Sequence, residues 1–154
     1  MGRIDKRLAE LGIVLPTPSK PVANYVPWVM TGNLVFISGQ GPMKDGKLAY
    51  AGKAGDTLPI KDAVAAARLT AINVLAQLRD ACGGDLDRVK RIVKLLGFVN
   101  CTPAFGDQPK VINGASDLMV EVFGDRGRHA RSAVGAPALP FHFPVEVEAI
   151  AEIE

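Results

Sequence analysis

The chain has 154 residues and a mass of 16.3 kDa, and 48% of its residues are hydrophobic and 22% charged. This size and composition indicate one folded domain over residues 1–154 and exclude a disordered or fibrous protein. With 18 Lys and Arg against 16 Asp and Glu, the formal charge of +2 is too balanced for a protein that binds nucleic acid or a membrane surface through charge alone.

The compartment follows from the cysteines and the N-terminal residues. Only 2 cysteines are present, too few for a disulfide scaffold. The first residues carry charges where a signal peptide has an apolar stretch, and no window reaches the roughly 18 apolar residues of a membrane span. We therefore expect a cytoplasmic protein with no membrane partner.

Residues 1–21 are expected to form a helix followed by an extended arm. Ile4, Leu8 and Leu11 stand at helical spacing ahead of a glycine, which predicts a short amphipathic helix. Four prolines between positions 14 and 27 disfavour regular helix. The arm therefore leads in an extended conformation to the first strand.

Two hairpins are predicted next. The turn dipeptide Gly32-Asn33 lies between apolar residues in the segment 28–38, and Asp45-Gly46 lies between short apolar segments in 43–50. Both dipeptides favour the positive φ angles of tight hairpin turns. The N-terminal third is thus expected to be a small β-meander.

The rest of the chain alternates helices and strands. Apolar residues recur at helical spacing over 59–82 and again over 109–123, whereas 92–99, 130–135 and 145–153 are rich in strand-forming residues. The last segment alternates, with Val and Ala on one side and glutamates on the other. This order predicts an α+β fold, a mixed sheet with two helices packed on one face.

Several familiar catalytic motifs are missing. The sequence contains no G-x-G-x-x-G, Walker loop, G-x-S-x-G or H-E-x-x-H pattern, which removes the usual grounds for a dinucleotide, P-loop, serine-hydrolase or zinc-protease site. His129 and His142 are the only histidines, and the cysteines are too sparse to join them as ligands. We therefore expect no metal site.

A basic segment ends in Arg131, at the start of a predicted strand. An arginine in a strand of a compact domain is costly to bury unless it is paired or binds a planar anion. Arg131 is therefore a candidate anion-binding residue, and the alternative is a structural salt bridge to Glu146 or Glu148. Arg126 and Arg128, in the same segment, are expected to face solvent.

Three further segments each allow two interpretations. Glu146 and Glu148 share one face of the last strand and form either a solvated surface or a partly buried acid that orients water or transfers a proton. Residues 38–42, Ser-Gly-Gln-Gly-Pro, either let a ligand approach closely or simply form a turn. Tyr25, at the end of the arm, either covers a pocket or packs in the core or at a subunit interface.

Three separated motifs together resemble one family. The motifs are NYVPWV…GNLVFISGQGP, RSAV…LP and VEVEAIAEI, and they resemble the reactive-intermediate deaminase (Rid) family, also called the L-PSP endoribonuclease or translation-inhibitor family. The resemblance covers residues 22–153. The string from FVNCTPAFGDQPK to GRHARSAVG is similar to a distinct branch, whose members mostly lack an assigned function.

The resemblance implies a fold, an assembly and an activity. It implies a chorismate-mutase-like fold and a homotrimer built around a central barrel, with sites in the clefts between subunits. The implied activity is hydrolysis of enamine and imine intermediates, such as 2-aminoacrylate, to 2-keto acids and ammonia. The substrate would be a small carboxylate-bearing molecule, and no cofactor is implied.

The resemblance also assigns roles to two charged residues. Arg131 matches the family arginine that grips the substrate carboxylate, in agreement with the fork geometry of its guanidinium. Glu146 matches the glutamate that positions the attacking water or carries the proton. Glu148 aligns with a structural position.

Five other residues match the family's substrate pocket. Tyr25 matches the aromatic residue that closes the pocket, Ser38 and Gly39 match its floor, and Asn113 aligns with an asparagine near the cleft. Ala133 stands where many members have cysteine. Backbone groups at Ala133 can still contact substrate, but a thiol-dependent mechanism at that position is excluded.

Two other functions remain in view. The same Arg131 could bind a metabolite carboxylate in a trimer that performs no catalysis. RNA cleavage, attached to the family by name, is motivated only by the basic cluster Arg126, Arg128, His129 and Arg131. That cluster lacks the paired histidines or strongly basic surface of a typical ribonuclease, so nucleic acid is not expected as a partner.

Overall fold

A computed structural model of the protein describes residues 1–154 and contains three helices and seven strands. The helices are α1 (Arg3–Glu10), α2 (Ile60–Ala81) and α3 (Gln108–Phe123). The strands are β1 (Trp28–Thr31), β2 (Leu34–Gln40), β3 (Met43–Lys44), β4 (Lys47–Leu48), β5 (Val89–Asn100), β6 (Ala130–Ala136) and β7 (Val145–Ile153). The predicted elements all occur in the predicted order, and β5 extends beyond the predicted 92–99 at both ends.

Five strands form one mixed sheet in the order β1-β2-β7-β5-β6. Only β5 and β6 run parallel, while the other neighbours are antiparallel. The short strands β3 and β4 form a separate two-stranded ribbon. The last strand of the chain, β7, therefore lies in the middle of the sheet, between β2 and β5.

One face of the sheet is covered by α2 and α3, as the sequence predicts. The alternating side chains of β7 bury Val145, Val147 and Ala151 completely beneath these helices. The helices also lie close to each other, because a Cβ atom at Gly114 of α3 would stand 2.2 Å from the carbonyl oxygen of Val64 on α2. Small residues at this contact allow the backbones to approach and fix where α3 meets the sheet.

The opposite face of the sheet is open, and it carries apolar side chains beside the glutamates of β7. The strand registers align Val29 with Phe36, Phe36 with Ile150, and Phe98 with Val134 on this face. Val29, Phe36 and Val134 are 52%, 41% and 42% exposed. We call this surface the outer sheet face.

The predicted N-terminal helix is present as α1, and it docks on the domain. Ile4 and Leu8 of α1 join the main hydrophobic core. The Asp87 carboxylate accepts hydrogen bonds from the backbone N–H groups of Arg3, at 2.7 Å, and Ile4, at 2.8 Å. These bonds hold the pKa of Asp87 below its usual value. None of the three helices combines the length and apolar character needed to cross a bilayer.

Candidate functional site

A cleft of about 520 Å³ lies where the arm crosses the end of β2. It is lined by four of the predicted site residues, namely Tyr25, Ser38, Gly39 and Glu146. The arm contributes residues 16–22 to its wall. Arg131, Asn113 and Ala133 do not line this cleft.

Glu146 is the acidic group of the cleft. It lies near the start of β7, opposite Phe98 of β5, and forms no ion pair within the chain. Burial raises its pKa, and the neighbouring charge of Glu148 raises it further. A carboxylate can accept a proton from water, and the resulting carboxylic acid can return that proton to a leaving group.

The glycines of the segment 38–42 are required by close approach. A Cβ atom at Gly39 would lie 2.5 Å from Oε1 of Glu146, and one at Gly41 would lie 2.4 Å from the Phe143 ring. The register between β2 and β7 shifts between Ile37 and Gln40, so the regular pairing of the two strands is interrupted at this point. The segment thus forms the surface against which the Glu146 carboxylate rests.

Hydrogen bonds fix the walls of the cleft. Ser38 donates its hydroxyl hydrogen to the carbonyl oxygen of Val26, at 2.8 Å, and so holds the end of the arm. Asn73 of α2 donates to the carbonyl oxygens of Gly41 and Met43, at 2.8 and 2.9 Å. Tyr25 is 52% exposed, with its ring at the cleft. Asn73 is not among the predicted site residues, because a polar residue on a helix gives no local sign of which loop it will hold.

The loop before β7 closes the cleft from the other side. Phe141 and His142 adopt left-handed backbone conformations, with φ of 56° and 61°, although neither is a glycine. Such conformations cost on the order of 1–2 kcal/mol per residue. The surrounding fold therefore holds this loop in a strained shape, with the Phe141 side chain 74% exposed beside the cleft.

Arg131 lies in a second cluster, between β6 and α3. Its Nη1 donates to Oδ1 of Asn113 at 2.8 Å and to Oγ of Ser116 at 3.2 Å. It forms no ion pair with any carboxylate of the chain, so the salt bridge to Glu146 or Glu148 is absent. The guanidinium charge is therefore uncompensated within one chain.

His129 extends this cluster. Its Nδ1 lies 2.6 Å from the Gly127 carbonyl oxygen, and its Nε2 lies 2.9 Å from Oγ of Ser116. Burial lowers the pKa of His129, the Gly127 hydrogen bond opposes this, and the Arg131 charge lowers it further. The sequence pattern places His129 in a basic cluster but assigns it no contact with Ser116. Ser116 is absent from the predicted site residues, although its spacing of three residues from Asn113 puts the two on one face of α3.

The other residues of the basic segment differ in their surroundings. Arg126 is partly buried and donates to the Val89 carbonyl oxygen at 2.7 Å, so the prediction that it faces solvent is wrong. The carbonyl group that it reaches belongs to the first residue of β5. Arg128 is exposed, as predicted, and pairs with Asp125 at 3.2 Å. Ala133 packs against the core and pairs with Gly97 of β5.

One chain does not bring Arg131 and Glu146 together. Arg131 lies level with Leu95 of β5 and Glu146 level with Phe98, three residues apart, so their side chains point to opposite faces of the sheet. Because β5 runs between β6 and β7, the two Cα atoms are about 14 Å apart. The chain thus carries two separate groups of candidate site residues, the Glu146 cleft and the Arg131 cluster, which we call the two half-sites.

No metal-binding constellation accompanies these half-sites. The chain gathers no group of three or more His, Cys, Asp or Glu side chains that could hold an ion. The functional groups of the two half-sites are a carboxyl group, a guanidinium group and hydroxyl groups.

The sheet order and the two covering helices define an α+β protein of the chorismate-mutase-like class. Residues 5–153 match the family described as "YjgF/chorismate mutase-like, putative endoribonuclease", and the chain belongs to this family. This confirms the resemblance to the Rid and L-PSP proteins and the fold that it implies.

Relatives from several organisms align over nearly the whole chain. Protein TCP17 of Trypanosoma cruzi is 48% identical over 153 residues, which cover 99% of this chain and 95% of the relative. The crystal structure of Atu1372 from Agrobacterium tumefaciens, a protein of unknown function, is 49% identical with a TM-score of 0.92, over 98% of this chain and 92% of the other. A structure from Shewanella oneidensis described as a "putative endoribonuclease" is 37% identical with a TM-score of 0.94, over 99% and 100% of the two chains.

A more distant neighbour contains a bound amino acid. The structure of TdcF from E. coli, with bound serine, is 25% identical to this chain. It aligns with a TM-score of 0.66, over 90% of this chain and 94% of the other.

Proposed function

We propose that the protein is a cofactor-free hydrolase of small enamine and imine acids, which it converts to 2-keto acids and ammonia. The observation that carries the proposal is the pair of uncompensated charges, the Arg131 guanidinium and the Glu146 carboxyl group, each without a charged partner in its own chain. An imine acid needs a cation for its carboxylate and a carboxyl group for water activation. The two half-sites supply one each.

We further propose that the half-sites of neighbouring subunits meet in a homotrimer. The outer sheet face supports this assembly, because Val29, Phe36 and Val134 are exposed on it and a second copy would bury them. A second copy that covers this face would also allow Arg131 of one subunit to approach the Glu146 cleft of another. The site would then be complete only between subunits.

The proposed reaction uses each group once. Arg131 binds the substrate carboxylate through two parallel N–H···O bonds. Glu146 accepts a proton from water as the water oxygen attacks the C=N carbon of the imine, and it passes this proton to the nitrogen to give a carbinolamine. Glu146 then accepts the hydroxyl proton of the carbinolamine and passes it to the nitrogen as the C–N bond breaks, which releases ammonia and the keto acid. Tyr25 covers the cleft from bulk water, while Ser38, Gly39 and Asn113 shape the site. Backbone groups of Ala133 contact the substrate in place of a thiol.

Serine in the E. coli TdcF structure supports the substrate class. Serine is a small amino acid with a free carboxylate, and TdcF shares the fold of this chain. A dehydratase acting on such an amino acid releases an enamine that keeps the carboxylate. The ligand class of a relative thus agrees with the role proposed for Arg131.

The test is turnover of freshly generated 2-aminoacrylate and 2-iminobutyrate. A dehydratase produces the substrates, and a chemical trap reports the imine that remains. We expect the wild-type protein to accelerate keto-acid release, and Arg131→Ala and Glu146→Gln each to reduce this acceleration by at least about 100-fold. Arg128→Ala is the matched control, because Arg128 is exposed and lies in the same basic segment.

The outcome also decides between the alternatives. No acceleration by the wild-type protein contradicts the deaminase proposal. Binding of 2-oxobutyrate that Arg131→Ala abolishes, without any turnover, would instead establish a non-catalytic carboxylate-binding trimer. RNA cleavage is not favoured, since both ring nitrogens of His129 are already engaged by Gly127 and Ser116.

A further inference from the structure

We propose that Ser116 and His129 are positioning residues, which orient the Arg131 guanidinium so that it can bind a carboxylate. This inference rests on the proposed function, because it assigns a role to the groups behind the proposed anchor. Neither residue contacts the Glu146 cleft. Ser116 contacts both His129 and Arg131, so the three residues form one continuous series of hydrogen bonds.

The direction of each hydrogen bond in this series, which runs from Gly127 through His129 and Ser116 to Arg131, is fixed. The Gly127 carbonyl oxygen can only accept, so Nδ1 of His129 carries the hydrogen of the 2.6 Å contact. Nε2 of the neutral ring is then an acceptor, and the Ser116 hydroxyl donates to it at 2.9 Å. Arg131 can only donate, and its Nη1 meets a lone pair of Oγ of Ser116 at 3.2 Å.

This arrangement matters because a hydroxyl hydrogen can rotate. If the Ser116 hydrogen pointed at Nη1 of Arg131, two donors would face each other. His129 prevents this, since its Nε2 accepts the hydrogen and leaves a lone pair of Oγ directed at Arg131. The neutral ring is required, and the lowered pKa of His129 agrees with a neutral ring at physiological pH.

Only one nitrogen of the Arg131 guanidinium forms hydrogen bonds within the protein. Nη1 donates to both Asn113 and Ser116, whereas Nε and Nη2 form no hydrogen bond within the protein. Nε and Nη2 lie along one edge of the planar group, and that edge can form a bidentate pair with a carboxylate. Fixing Nη1 on the α3 side therefore presents the free edge away from α3.

The first experiment compares variants at Ser116. Ser116→Ala is expected to raise KM for 2-iminobutyrate and Kd for 2-oxobutyrate by about tenfold, the effect of one lost hydrogen bond to a charged group. The kcat value should change by less than about twofold, because the reacting atoms lie at Glu146. Ser116→Thr, which keeps the hydroxyl group, should restore both constants. Asp117→Asn, at an exposed position of the same helix, is the control.

The second experiment measures the protonation of the His129 ring in the absence of substrate. Nitrogen-15 NMR of the histidine rings at pH 7.5 should show His129 neutral with the hydrogen on Nδ1. Ser116→Ala should shift the Nε2 resonance and leave the hydrogen on Nδ1. A cationic ring, or a hydrogen on Nε2, would overturn the inference whatever the enzyme assay shows.

The two experiments separate this inference from the proposed function. Turnover by the wild-type protein with unchanged KM and Kd in Ser116→Ala overturns the positioning role alone. If the wild-type protein binds 2-oxobutyrate but performs no turnover, the hydrolase proposal fails and the Kd of Ser116→Ala still decides the positioning role. If the wild-type protein neither binds 2-oxobutyrate nor hydrolyses the imine substrates, both proposals are contradicted.

Discussion

Single atoms decide what the cleft can do. The Glu146 carboxylate occupies space that any residue other than glycine at position 39 would need, as the 2.5 Å distance from a Cβ atom shows. The same carboxyl group has a raised pKa because it is partly buried and lies near Glu148. The absence of a side chain at Gly39 thus allows the position of this carboxyl group, while burial first and the charge of Glu148 second raise its pKa.

Replacing Gly39 should disturb activity far more than stability. In Gly39→Ala, the atom displaced first is the far end of the Glu146 side chain, which can rotate away at a cost of about 1 kcal/mol. A displacement of about 1 Å in a reacting group lowers turnover by roughly 100-fold. Imine turnover and thermal unfolding of the variant measure the two effects.

The matched control for this substitution is Gly106→Ala. A Cβ atom at Gly106 would meet nothing within 4 Å, and its φ is not in the left-handed region. It should leave both activity and unfolding temperature unchanged. Full activity in Gly39→Ala would show that the carboxylate does not act from the position it occupies here.

Removing Glu148 should shift the pH dependence of the reaction. The charge of Glu148 raises the pKa of Glu146, so Glu148→Gln should lower that pKa. Because the charged form of Glu146 activates water in the proposed reaction, the acidic limb of the kcat/KM profile should move to lower pH. Arg91→Gln, at an exposed position of β5, serves as a control with no expected shift.

At the scale of elements, a pattern confined to one segment was predictable and a pairing between distant segments was not. The alternation in β7 predicts its bounds and buried face, and Gly32-Asn33 predicts the β1–β2 turn. The register shift in β2 depends on how β7 lies beside it, and no local pattern reports this. Likewise, Arg126 turns inward because of a carbonyl oxygen 37 residues earlier in the chain.

The docking of α1 provides a pH-dependent test at this scale. Asp87→Ala removes the acceptor for the backbone N–H groups of Arg3 and Ile4, so the unfolding temperature should fall at neutral pH. The pKa of Asp87 is lowered in the folded state, so its contribution is present above the usual aspartate pKa and is lost as the pH falls through the lowered value. The difference between wild type and variant should therefore disappear in acid.

A second variant separates charge from hydrogen bonding at this position. Asp87→Asn keeps one oxygen acceptor and should retain part of the stability, without the pH dependence. An unfolding temperature of Asp87→Ala that stays below wild type by the same amount from neutral pH into acid would contradict the role of the ionised carboxylate. Thermal unfolding followed by circular dichroism is sufficient for this comparison.

At the scale of the whole molecule, the two half-sites and the outer sheet face have one common explanation. Within a chain, Arg131 and Glu146 project from opposite faces of the sheet. Part of the apolar surface, including Phe36 and Val134, remains exposed. The proposed homotrimer would account for both observations, since closed symmetric assemblies repeat one interface until no copy is left open. Phe36→Glu should therefore lower the molecular mass measured by light scattering and abolish turnover together.

Mixed assemblies test the shared site directly. Arg131→Ala and Glu146→Gln should each be inactive alone, but trimers formed from an equal mixture contain interfaces at which an intact Arg131 meets an intact Glu146. Random assembly gives this combination at about one quarter of the interfaces, so about one quarter of wild-type activity should return after the chains are refolded together. A site contained within one chain would recover nothing, because every chain in the mixture lacks one of the two groups. Recovery of activity in the mixture would therefore show that the two charges act across a subunit boundary.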